Sequence, residues 1–143
     1  IELYNPNNFA IDLNGWSLSH ASPTLNSELL LREGVVSGNS LSILTGDPNI
    51  QSTGSADHVI DLGSEGFLGV GQMNLLDDGG GVLTLSYTQL NEFQPFEVTR
   101  VAWGGDTGLF LTPSQSLKHV TDNFPPEVQD WEVSNTPSPG LIE

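Results

Sequence analysis

Cysteine is absent from the 143 residues, which removes disulfides, thiolate nucleophiles and thiolate metal sites together. Cations are scarce as well: 3 Lys and Arg stand against 18 Asp and Glu, a formal charge of −15. Binding to a phosphate backbone needs cationic side chains that displace counterions, so nucleic acid is not an expected partner. The same charge opposes anionic membrane surfaces and favours cations and basic proteins. No run approaches the roughly 20 apolar residues of a spanning helix, so no membrane insertion is expected. No cationic region with an apolar run precedes Ile1, as expected of a secreted product whose leader is gone. Glycosylation sequons are missing too, since Asn135-Thr136 is followed by Pro137. Scarce Lys amid plentiful Ser, Thr, Asn and Gly points to an extracellular or cell-surface location.

What is present is strand after strand. Ile1 to Tyr4, Ala10 to Leu13, Trp16 to Ser19, Glu28 to Leu31, Ser40 to Leu44, His58 to Leu62, Val82 to Tyr87, Glu97 to Trp103 and Ser116 to Val120 all carry strand signals. Ser40-Leu41-Ser42-Ile43-Leu44 and Val82-Leu83-Thr84-Leu85-Ser86-Tyr87 alternate as half-buried strands should, each covering one side of a core. Between them Gly38-Asn39, Gly46-Asp47-Pro48, Asp77-Asp78-Gly79-Gly80-Gly81 and Gly104-Gly105-Asp106 supply turn conformations. No stretch has a helical stripe. Short strands with turns roughly every 8 to 12 residues predict an all-β domain, an antiparallel β-sandwich. One such domain is expected over residues 1–143, with 124–143 a Pro-rich segment running extended and Trp131 as its apolar anchor. Longer loops are predicted at Asn49 to Asp57, Gly63 to Asn74 and Thr88 to Phe96.

The opening residues are the most specific. Ile1-Glu2-Leu3-Tyr4-Asn5-Pro6 followed by Asp12-Leu13-Asn14-Gly15-Trp16-Ser17-Leu18 resembles the start of the lamin tail domain family, in its prokaryotic extracellular branch. Asn74 to Leu85, Val98 to Gly104, Ser116-Leu117-Lys118-His119, Asp130-Trp131 and Thr136 to Gly140 resemble its later segments. The resemblance implies an immunoglobulin-like antiparallel β-sandwich. Two departures stand out: the family usually has an earlier strand before this opening, and Leu141-Ile142-Glu143 stands where a Pro-Gly-x-x-Asn ending is common. An edge so left open would offer Ile1, Leu3 and Tyr4 to a strand from a neighbouring molecule. Physically the motif needs no function: Trp16 is an apolar plug between sheets, Asp12 bonds to its own turn, and Asn5-Pro6 starts a bend.

Candidate chemistry is sparse. His20, His58 and His119 are isolated in sequence, and Asp57, His58 and Asp61 cannot all face one ion from an extended strand. Asp77 and Asp78 in their Gly-rich turn are the better cation candidates, since a calcium ion needs flexible acidic oxygens, but a solvated hairpin turn is the favoured reading of them. No Gly-x-Ser-x-Gly elbow occurs, Gly69-Val70-Gly71 lacks the rest of a dinucleotide fingerprint, and Glu92 and Glu97 only distantly resemble a glycosidase pair. No enzyme activity is therefore expected.

Phe93, Phe96, Trp103, Phe110 and Phe124 cluster near loops, and most of them are expected in the core. The other reading makes them, Phe93 and Phe96 above all, a contact patch for another copy of the chain. Together these features predict a non-enzymatic structural or protein-interaction module, a subunit of a surface filament or layer built by strand complementation, with other copies of itself as partner. The rival expectation is an accessory domain for polysaccharide or cations, cut from a larger secreted hydrolase, with Trp103 and Phe110 lining a groove.

Overall fold

The computed structural model describes residues 1–24, 26–31, 34–45, 56–61, 76, 79–90, 92–112, 115–120 and 127–136. Among them the chain is all-β, as the alternation and turn spacing predict. The strands in order are β1 (Glu2–Asn5), β2 (Ile11–Asp12), β3 (Trp16–Ala21), β4 (Asn26–Leu31), β5 (Val35–Val36), β6 (Ser40–Thr45), β7 (Ala56–Asp61), β8 (Gly80–Tyr87), β9 (Phe96–Gly104), β10 (Ser116–His119) and β11 (Trp131–Ser134). Single 3₁₀ turns follow at Gly105–Thr107 and Val128–Asp130. The backbone groups into two compact units. The first comprises Ile1–Asn14, Leu31–Met73 and Ser138–Glu143, the second Gly15–Leu30 and Asn74–Pro137.

In the first unit β1 pairs antiparallel with β6, setting Leu3 opposite Ser42 and Tyr4 opposite Leu41. β6 pairs in turn with β7, and this pair is parallel, a departure from the antiparallel pairing expected throughout. β2 and β5 form a separate two-stranded piece. The alternation of β6 predicts one covered face. Instead Ser40, Leu41, Ser42, Ile43 and Leu44 are all buried, Ser42 with none of its surface exposed. Serine is small enough for the second face to be covered as well, and the Ser42 hydroxyl makes no hydrogen bond there.

The second unit is built on an antiparallel sheet in the order β4-β3-β8-β9. Its register gives each face a distinct character. Leu18, Leu85 and Thr99 align across three strands, as do His20, Leu83 and Val101, whereas Ser19, Thr84 and Arg100 align on the other face. Leu18, Leu29 and Trp103 are buried. Trp103 lies opposite Gly81 and stacks on the buried His20, ring centroids 5.4 Å apart and planes 17° apart. Glycine at 81 leaves room for the buried His20 ring, which a Cβ there would have to displace. The segment expected to run extended carries β11, which pairs with β10 and sets Trp131 opposite His119 at 4.9 Å between ring centroids. Trp131 thus anchors that segment through a strand pairing that its prolines hide in the sequence.

Candidate interaction site

The hairpin joining β8 to β9 closes where Tyr87 faces Phe96. Its neck is tied by Thr88 N–H donating to Gly15 O at 2.9 Å, and a turn within it by Glu92 N–H donating to Gln89 O at 3.0 Å. Gly15 sits at φ +86°, and a Cβ there would meet Thr88 O at 3.0 Å and the Tyr87 ring at 3.5 Å. The predicted Asn-Gly turn therefore serves the hairpin neck. Beyond the neck, apolar side chains point into solvent: Leu90 is 88% exposed, Phe93 97% and Phe96 68%. Phe96 continues an aromatic row, since Trp16, Tyr87 and Phe96 align across β3, β8 and β9 and the first two rings lie 5.3 Å apart. Trp16 is half-buried at the end of this row rather than a buried plug; Leu18, two residues on, fills the interior.

Charge flanks the apolar tip. Glu92 and Glu97 are exposed, and Arg100 Nε lies 3.6 Å from Glu97 Oε1 with both side chains more than half exposed. At that exposure the ion pair contributes little to stability. Three residues apart on a regular strand, the two side chains would point to opposite faces. A bulge between Leu85 and Ser86 changes this, because Glu97 then aligns with Ser86 and Arg100 with Thr84, on one face.

The core expectation for the loop aromatics fails for phenylalanine. Phe9, Phe93, Phe96 and Phe110, the four among the described residues, are each more than 60% exposed. Trp103 alone of the described group is buried, so it cannot line a groove for polysaccharide, and Phe110 is left without that partner. Phe124 lies outside the described residues, as do Asp77 and Asp78, the candidate calcium ligands. Asp57, His58 and Asp61 fall on β7, with His58 opposite Ser42 and Asp61 opposite Thr45 in the backbone register. Among the described residues no three His, Asp or Glu gather as metal ligands would. No helix among them is long and apolar enough to cross a membrane.

The opening strand holds a different arrangement. Ile1 and Leu44 exchange hydrogen bonds, the Ile1 nitrogen donating to Leu44 O at 3.0 Å and Leu44 N–H to Ile1 O at 2.8 Å. Burial lowers the pKa of that amino group, and the Glu2 carboxylate acts the other way. Leu3 is half-buried and Tyr4 exposed. β1 is the outer strand of its sheet among the described residues. Ile1, Leu3 and Tyr4 therefore belong to the first unit, Phe93 and Phe96 to the second.

Asn5, only 2% exposed, does far more than start a bend. Its Nδ2 lies within donating distance of Phe9 O at 2.8 Å, Val36 O at 3.0 Å and Ser37 O at 3.1 Å. Its Oδ1 accepts from the Asn7 backbone and side chain, both at 3.0 Å. Asp12 bonds to its own turn as predicted, accepting from Asn14 N–H at 2.8 Å. Sequence reasoning passed over Leu90 and Arg100. The signal for Leu90 was an apolar residue between Gln89 and Asn91 in a predicted loop, while that for Arg100 is invisible without the bulge.

Comparison with protein-family models, with curated proteins and with solved structures returns no match.

Proposed function

We propose that the chain is a non-enzymatic extracellular or cell-surface module that acts by protein contact, with other copies of itself as partner. In this reading it is an immunoglobulin-like, lamin-tail-like β-sandwich subunit of a filament or surface layer. The observation that carries it is the apolar tip of the β8–β9 hairpin, Leu90, Phe93 and Phe96, held in water by a tied neck. A solvated loop gains nothing from three large apolar side chains within seven residues, whereas the centre of a protein interface is enriched in aromatics and depleted of charge. Salt should favour such contact, because a charge of −15 on every copy repels its neighbours until screened.

Sedimentation velocity in low and high salt tests this. Wild-type protein is expected to form dimers or larger species, more so in high salt, while a Leu90→Ser, Phe93→Ser double variant stays monomeric. A wild-type chain that is monomeric at every concentration and salt would overturn the reading.

A further inference from the structure

We infer that the contact between copies is a two-fold antiparallel pairing of β9 with β9, in which Glu97 of each copy faces Arg100 of the other. This rests on self-association as proposed above and supplies its geometry. Three observations lead to it.

The first is the edge itself. β9 runs nine residues, the longest strand among those described, with β8 on one side and no described strand on the other. Around Glu97 to Arg100 a strand placed so presents backbone donors and acceptors to any chain that can align with it, while at its far end Gly104 N–H already donates to Leu109 O. Within β9 Thr99 aligns with Leu85 and Glu97 with Ser86, leaving Val98 with no residue of β8 opposite. An extra residue of this kind is left off its own ladder.

The second is charge. Edges are normally kept apart by charged side chains, and like charges facing each other across strands repel. In β9 the two charges are opposite in sign, share a face through the bulge, and flank Val98 and Thr99. When a strand meets its own copy about a two-fold axis, residue i faces j and j faces i. Centred between Val98 and Thr99, the axis sets both carboxylates against guanidinium groups of the other copy. Registers that bring Glu97 to Glu97, or Arg100 to Arg100, are opposed. The pair thus favours the register in which Glu97 faces Arg100 over those two. Because the Glu97–Arg100 bridge within one copy is exposed, exchanging it for a bridge between copies loses little.

The third is position. β9 begins at Phe96, so its edge is continuous with the apolar tip, and strand pairing would carry Phe96 and Phe93 of each copy onto the other. Backbone pairing supplies register and the tip supplies burial.

A charge-swap experiment tests the geometry. Glu97→Arg makes the pair wholly positive and Arg100→Glu makes it wholly negative. Each variant alone should self-associate at least tenfold more weakly than wild type, and an equimolar mixture should recover association as a heterodimer, the difference between the mixture and the single variants shrinking in high salt as the like charges are screened. Both sites are exposed, and circular dichroism confirms that each variant is folded. If both variants self-associate like wild type while Leu90→Ser, Phe93→Ser does not, the β9 pairing is wrong and contact through the tip survives. If variants are weakened but the mixture does not recover, Glu97 and Arg100 do not face each other. Wild-type protein that never associates overturns the proposed function itself.

Discussion

The Asn5 turn in the first unit and the β8–β9 tip in the second handle polarity in opposite ways. At Asn5 an amide is taken out of water, and the backbone supplies what water would have supplied: three carbonyls face its nitrogen, and two Asn7 donors reach its oxygen. At the tip, phenylalanine and leucine remain in water although the strand neck beneath them is fully tied. A buried polar group is tolerated when every bond is made, and then it fixes one conformation. An exposed apolar group costs the monomer hydrophobic burial, so its return must come from elsewhere. The first region is built for the fold and the second for contact, and substitutions should separate the two roles.

The largest effect is expected at Asn5. Asn5→Ala removes the two N–H donors shared among the Phe9, Val36 and Ser37 carbonyls and the acceptor from Asn7, each lost bond costing roughly 1–3 kcal/mol when the group left behind stays dry. A drop of at least about 3 kcal/mol in urea-unfolding stability is expected, since Pro6 and the loop to Phe9 lose the group that holds them. A loss below about 1 kcal/mol would mean that water replaces the amide and that the turn is held by its strands alone.

Gly104 ranks next, at the far end of β9. It faces Gly80 across the ladder at φ +73°, and a Cβ would lie 2.5 Å from Gly80 Cα and 2.6 Å from Gly79 O. Gly104→Ala should cost about 2 kcal/mol by the same measurement, combining an unfavourable backbone region with a contact that has no flexible side chain to yield.

These ranks show how much the sequence discloses. The strands were legible because β8 alternates Leu83 and Leu85 with Thr84 and Ser86, and the turns because Asn14-Gly15 and the glycines near β8 admit few alternatives. Burial of β6 on both faces was not legible, since Ser42 reads as an outward residue until the second face is covered. The Asn5 hub hid because its partners, Val36 and Ser37, lie 31 and 32 residues away. Phenylalanine is usually inside, so the sequence points Phe93 and Phe96 to the core, and only their exposure in three dimensions shows otherwise. Glu97 and Arg100 are ordinary solvated charges until one bulged residue turns them to the same side.

Phe96 and Phe93 give the smallest effects on stability and the finest comparison. Phe96 is about one third covered, and it aligns with Tyr87, which itself rests on Trp16. Phe96→Ala should therefore cost roughly 0.5–1 kcal/mol, the range of an aromatic cross-strand pair. Phe93, 97% exposed, touches too little of its own molecule to matter to it, and Phe93→Ala should alter unfolding stability by less than about 0.5 kcal/mol. If the tip is a contact surface, both variants should weaken self-association, so one of them separates binding from stability outright. Should Phe93→Ala instead destabilise the monomer by about 2 kcal/mol, the ring must pack against its own chain in solution. The tip would then belong with Asn5, as part of what holds the fold.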